Sequence, residues 1–140
     1  MAQQFRSRTV TVPYLPEEVY GFLSDFRHFN EFIPAGEVEE WEAEADRCSF
    51  SVPGLGKVVL SLREQEPPRR LLFAGEAPMG ISLTLEVGIA GEGEGSRVDL
   101  LLEASLPLLM RALAERPLKD FLEKMASHIE TFDFREGRPK

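Results

Sequence analysis

Two histidines, one cysteine and a run of acids are the side chains in this 140-residue chain whose types and spacing suit chemistry. His28 stands three residues after Asp25 and three before Glu31, and an imidazole beside a carboxylate is suited to proton transfer near neutral pH. The same spacing marks the polar side of any short helix, and a solvated face is the simpler account. His128 falls between Met125 and Ile129, where a boundary histidine is favoured over a catalytic one. Cys48 has no histidine near it in sequence and no helix N-terminus to lower its pKa, so a buried, inert thiol is expected. Glu37, Glu39, Glu40, Glu42, Glu44 and Asp46 alternate along an extended segment. Alternate strand residues diverge to opposite faces instead of converging on an ion, so a charged edge that discourages strand pairing between molecules is expected and a metal site is not. No Gly-x-Ser-x-Gly, phosphate-cradling glycine loop or His-Glu-x-x-His occurs, and no catalytic residue or cofactor is assigned.

The elements that must position these groups follow from hydrophobic period and turn chemistry. Gln4 to Val12 is rich in Thr and Val and closes at Pro13, which predicts a first strand. Pro16-Glu17-Glu18 then starts a helix running to about Asp25, and Phe29, Phe32 and Ile33 predict a second, short one stopped by Pro34 and Gly36. Glu37 to Leu106 reads as six strands broken at Asp46-Arg47, Gly54-Leu55-Gly56, Pro67-Pro68, Pro78-Met79-Gly80 and Gly91 to Gly95. Connections so short join antiparallel neighbours, giving a meander. Alternation puts Cys48, Phe50, Val52, Val58, Leu60, Leu62, Leu71, Phe73, Ile81, Leu83, Leu85, Val87, Val98, Leu100 and Leu102 on the inner face. Val38 and Trp41 have opposite parity, which a β-bulge near Glu39-Glu40 reconciles. Past Pro107 the chain turns helical, with a kink or a fresh start at Arg116-Pro117. Leu118, Leu122, Met125, Ile129 and Phe132 then form one apolar stripe that must cover the sheet.

Composition narrows the function. The chain is 43% hydrophobic and 29% charged, which is ordinary for one globular domain over 1–140 with residues 135–140 as a solvated tail. A net charge of -8 is the wrong sign for a phosphate backbone or an anionic bilayer, so no nucleic acid and no membrane insertion are expected. The lone cysteine fits a reducing compartment, and the N-terminus lacks an apolar signal core, so a cytoplasmic protein, monomer or weak homodimer, is expected.

Thr9-Val10-Thr11-Val12-Pro13 followed by Pro16-Glu17-Glu18-Val19-Tyr20-Gly21-Phe22-Leu23-Ser24-Asp25 resembles the opening of the SRPBCC (START-like, polyketide cyclase/dehydrase) proteins. Phe29-Asn30-Glu31-Phe32-Ile33-Pro34 is similar to their second helix, and Glu64 to Phe73 to the turn between their middle strands. The resemblance implies an α+β helix-grip fold, a seven-stranded curved antiparallel sheet in the order 2-3-4-5-6-7-1 around a long C-terminal helix ending near Phe132, with two short helices after strand one. It also implies a cavity between sheet and helix for a hydrophobic or amphipathic small molecule of lipid, polyketide or aromatic type. Phe29, Phe32, Trp41, Phe50, Phe73, Leu83, Leu85, Met110, Leu118, Leu122 and Met125 are the residues suited to line it, while His28, Arg111 and His128 are candidates to orient a polar end. The same residues would equally make a filled core. Binding is favoured over two alternatives, a cyclase, dehydratase or hydrolase using the cavity and a protein-interaction module using the outer surface.

Overall fold

The computed structural model describes residues 2–31, 39–52, 56–78, 80–134 and 138–139. Six long or medium strands follow one another as a meander: β3 (Glu39–Ala43), β4 (Arg47–Val52), β5 (Gly56–Glu66), β6 (Arg70–Ala77), β7 (Ile81–Glu92) and β8 (Gly95–Ser105). The chain's start closes the sheet on the far side of β8, as β1 (Ala2–Arg6) and β2 (Val10–Val12), giving the order β1-β8-β7-β6-β5-β4-β3 with β2 also on β8. This is the expected antiparallel order, with one correction: the predicted strand Gln4 to Val12 is two strands. Ser7 divides them. Its N–H donates to the Leu100 carbonyl at 3.0 Å, and its hydroxyl accepts the Leu100 N–H at 3.1 Å, so a side chain stands in for a ladder carbonyl. An extra residue then separates the pairs Arg6–Leu101 and Val10–Val98.

The expected bulge in the next strand is present, as the β3–β4 register shifts between Glu39 and Glu42 and Glu40 takes a φ of 54°. Val38 lies outside the described residues. Trp41 is thereby turned toward the core, stacking on Phe50 with ring centroids 5.6 Å apart.

Pro16 opens helix α1 (Pro16–Leu23) with Glu17 and Glu18 in its first turn. The short helix after it is a 3-10 segment, Phe26–Glu31, which begins earlier than the spacing of Phe29 and Phe32 predicts. Asp25 is the reason: its carboxylate accepts the Arg27 backbone N–H at 2.9 Å and nucleates the turn. Phe32 and Ile33 lie outside the described residues.

After a 3-10 turn at Leu108–Met110, helix α2 (Arg111–Glu130) runs through Pro117 without a new start. Its buried stripe is Leu118, Leu122, Met125, Ala126 and Ile129, continued by Phe132 in the small ladder of β9 (Phe132–Asp133) and β10 (Arg138–Pro139). Helix α2 packs on β2, β1 and β8, and α1 on β7 and β8, so the inner face of the sheet is gripped around α2. The described inner-face positions are buried except Leu62, which is half-buried. No described helix is long and apolar enough to cross a membrane.

Curvature brings β5 and β6 together at Gly75, where an added Cβ would run into the Val59 carbonyl and the Leu60 side chain. Gly75→Val should therefore cost about 1–3 kcal/mol as overpacking, read as a lower urea midpoint at an unchanged slope. A neutral substitution would contradict this register.

Candidate functional site

Between sheet and helix the apolar interior leaves a cavity of about 40 Å³. Strands β4 and β5 contribute Phe50, Val58 and Leu60 to its wall, β7 and β8 contribute Leu83, Leu85 and Leu102, and α2 closes it with Pro117, Leu118, Phe121 and Leu122. Alternation sends the strand residues inward, and the four-residue step from Leu118 to Leu122 faces them. None of these ten side chains can donate or accept a hydrogen bond. The space would admit about two or three water-sized spheres, and its described side chains offer them no partners, so the lining is hydrocarbon-like. Small-molecule sites of drug size occupy roughly 300–1,000 Å³, an order of magnitude more. In this conformation the site is too small for such a molecule.

One wall is aromatic. Phe121 lies parallel to Phe50, with centroids 6.1 Å apart and planes 7° from parallel, and Trp41 stacks behind Phe50. Both Trp41 and Phe121 are half-buried.

Of the residues proposed from sequence for the cavity, the structure brings Phe50, Leu83, Leu85, Leu118 and Leu122 together, with Trp41 behind them. Phe73 and Met125 are fully buried but belong to the close-packed remainder of the core, Phe73 against Phe26 with centroids 4.8 Å apart. Phe32 and the side chains of Phe29 and Met110 lie outside what the structure describes. Val58, Leu60, Leu102, Pro117 and Phe121 line the cavity without having been proposed for it. Three of them were legible as inner-face positions by strand parity, and Phe121 as the neighbour of the 118–122 stripe.

The polar candidates stand elsewhere. His28 stacks on Phe22 at 4.1 Å, and its Nδ1 lies 3.1 Å from the Phe22 carbonyl, which assigns the hydrogen to Nδ1. Phe22 belongs to an aromatic cluster with Phe132 and Phe134, and His28 continues that stack. Asp25, the expected partner, is held by Arg27 at 2.5 Å, and these hydrogen bonds keep its carboxyl below the usual range. Arg111 and His128 are half-buried on α2, in its first and last turns, and neither lines the cavity.

Burial pushes the Cys48 thiol up to about 12. At pH 8 the native protein should then resist iodoacetamide, with modification only as fast as global unfolding exposes the thiol. Rapid alkylation of folded protein would contradict that burial. Among the described residues, no three of His, Cys, Asp and Glu are grouped to hold a metal ion.

A larger concavity, about 660 Å³, lies on the other face of the sheet, where Ser61, Arg63, Glu76, Thr84, Glu103 and Ser105 point away from α2. It is open and mixed in polarity, and it lacks the apolar enclosure that holds a small molecule out of water.

The same architecture is found in solved structures. TTHA0849 from Thermus thermophilus superposes with a TM-score of 0.65 at 23% identity, over 91% of this chain and 94% of that one. Norcoclaurine synthase from Thalictrum flavum gives 0.68 at 12% identity, over 93% and 85%. CalU16 from Micromonospora echinospora gives 0.53 at 17% identity, over 92% and 86%. At these identities the likeness is one of fold. No curated protein sequence matches the chain at a significant level. The family model described as polyketide cyclase / dehydrase and lipid transport matches residues 6–130, from the first strand to the last turn of α2. With the match running from the end of β1 through β2 to the end of α2, the chain belongs to the polyketide cyclase / dehydrase and lipid transport family.

Proposed function

We propose that this protein binds and carries an apolar small molecule whose hydrocarbon portion enters between the Phe50–Leu60–Leu85 wall and Leu118–Leu122 of α2. The observation that carries this reading is that none of the ten described lining side chains can form a hydrogen bond. Each methylene moved into such a site gains about 0.8 kcal/mol, whereas each carbonyl or hydroxyl buried there unpaired costs about 1–3 kcal/mol. An alkyl chain or unsubstituted ring is therefore preferred over an oxygen-rich polyketide skeleton. A reaction in the cavity would need a group that moves protons, and His28 and His128 lie outside its wall, which supports carriage over turnover. At about 40 Å³ the site must widen to admit a ligand. Pro117 and Leu118 are the part of the wall nearest the largely exposed start of α2, where few packed contacts hold the helix in place.

Displacement of an environment-sensitive apolar fluorophore tests the proposal. Long-chain alkyl alcohols should compete with the dye, and polyhydroxylated aromatics of similar size should compete at least about tenfold more weakly. No dye binding, or a preference for the polyhydroxylated series, would sink it.

A further inference from the structure

Strand β1 turns one polar side chain toward the core. Gln4 and Arg6 are exposed, whereas Phe5 is buried and Gln3 half-buried, so alternation makes Gln3 and Phe5 its inward residues. The Gln3 Oε1 atom is enclosed, and among the described residues nothing donates a hydrogen bond to it. Such an oxygen is an exception in a folded protein, because it has lost its hydration and has no bond in exchange.

Register sets Gln3 at the border of the apolar cavity. Gln3 pairs with Ala104, Ala104 with Leu83, Leu83 with Gly75 and Gly75 with Leu60, one row across the inner face. Leu83 and Leu60 line the cavity. A glycine stands between them, and only the Ala104 methyl stands between Leu83 and Gln3, so this level of the sheet is poor in side-chain volume. The next row, Phe5, Leu102 and Leu85, is filled by large residues. Leu102, also in the lining, is the diagonal neighbour of Gln3, at the roughly 7–8 Å that long side chains span.

The unpaired atom selects the partner. An amide oxygen accepts, so it needs a donor. A hydroxyl brings one without a charge, whereas an ionised carboxylate only accepts and would carry its charge in among hydrocarbon.

We infer that, in the carrier role proposed above on which this rests, Gln3 determines specificity, its Oε1 accepting a hydrogen bond from the terminal hydroxyl of an alkyl ligand whose chain lies against Leu60, Leu83 and Leu102. The described lining itself has no hydrogen-bonding side chain, so one hydroxyl at the end of the chain is favoured over several along it.

Displacement of an apolar fluorophore by 1-decanol and by decyl methyl ether, which keeps the chain and the oxygen but has no donor, tests this in the wild-type protein and in Gln3→Leu. Leucine replaces the unpaired amide by hydrocarbon of similar size, so the variant should melt at or above the wild-type temperature. Its affinity for 1-decanol should fall by about tenfold, as for a buried hydroxyl deprived of its partner, while its affinity for the ether holds within about twofold. A Gln3→Leu chain that melts well below wild type, or that loses both ligands equally, would give the amide to the fold and overturn the inference. An unchanged ratio of alcohol to ether affinity in the variant would overturn it too, as would tighter wild-type binding of decanoate than of 1-decanol. In those cases both ligands still displace the dye from the wild-type protein and the carrier role stands. If neither displaces it, the carrier role fails and the assignment of Gln3 fails with it.

Discussion

Leu122→Ala should lower the free energy of unfolding by about 2–5 kcal/mol and, at the same time, tighten binding of an apolar probe. Leu122 is 1% exposed and faces both the core and the existing cavity of about 40 Å³. Removing its isobutyl group costs the transfer free energy of the lost methyls and leaves a void that the surrounding β-sheet can only partly close. A dry void lined by leucine and phenylalanine is a better receptor for a hydrocarbon than a filled one. Urea unfolding beside a probe titration reads both effects. A destabilised variant that binds no better would mean that the space beneath α2 is ordinary core.

The second large effect separates the closed part of the interior from the open part. Phe73→Ala should cost about 3–5 kcal/mol, because Phe73 is fully buried against Phe26 in the close-packed remainder of the core. The affinity of the Phe50–Phe121 site for its probe should fall less than the stability does, because Phe73 lies outside the lining and meets it through its cross-strand partner Leu85. Equal losses of binding and stability in Phe73→Ala would show that the two halves of the interior form one site.

Most of the sheet was legible because period and turn chemistry agree along β4 to β8. Proline or glycine breaks the pattern near Gly56, Pro67 and Pro78, and every described inner-face residue lies where alternation puts it. The opposed parity of Val38 and Trp41 was enough to locate the β3 bulge, since one extra residue is the only local device that restores alternation. What escaped depends on single side chains replacing backbone partners. The Ser7 hydroxyl that splits the first strand and the Asp25 carboxylate that starts the 3-10 turn early are choices among many Ser and Asp residues with the same intrinsic preference. At Pro117 the sequence left a kink or a fresh start open, and the helix runs on. A proline in a helix costs a hydrogen bond, but the apolar stripe that begins at Leu118 gains enough from docking to carry the helix through it.

The site was legible as a face and not as a volume. Parity separates Phe50 and Leu85 from their solvent-facing neighbours, but Phe50 and Phe73 carry the same signal on adjacent parts of one surface. Only the depth at which α2 docks decides which of them meets a gap and which meets Phe26. That depth is a sum over the whole interface, with no local motif to announce it. His28 stood out because histidines are scarce here. Its backbone-bound Nδ1 and its place in an aromatic stack make it a packing residue in this fold.

The account's central claim is that the space between sheet and helix receives an apolar ligand, and a methyl-resolved NMR titration of the full chain with a long-chain alkyl alcohol tests it most directly. The methyl resonances of Leu60, Leu83, Leu85, Leu118 and Leu122 should shift together and saturate with one binding constant, while those of Val10 and Ile129, buried elsewhere, stay in place. No saturable shift, or shifts confined to Val59 and Thr84 on the outer face, would contradict it.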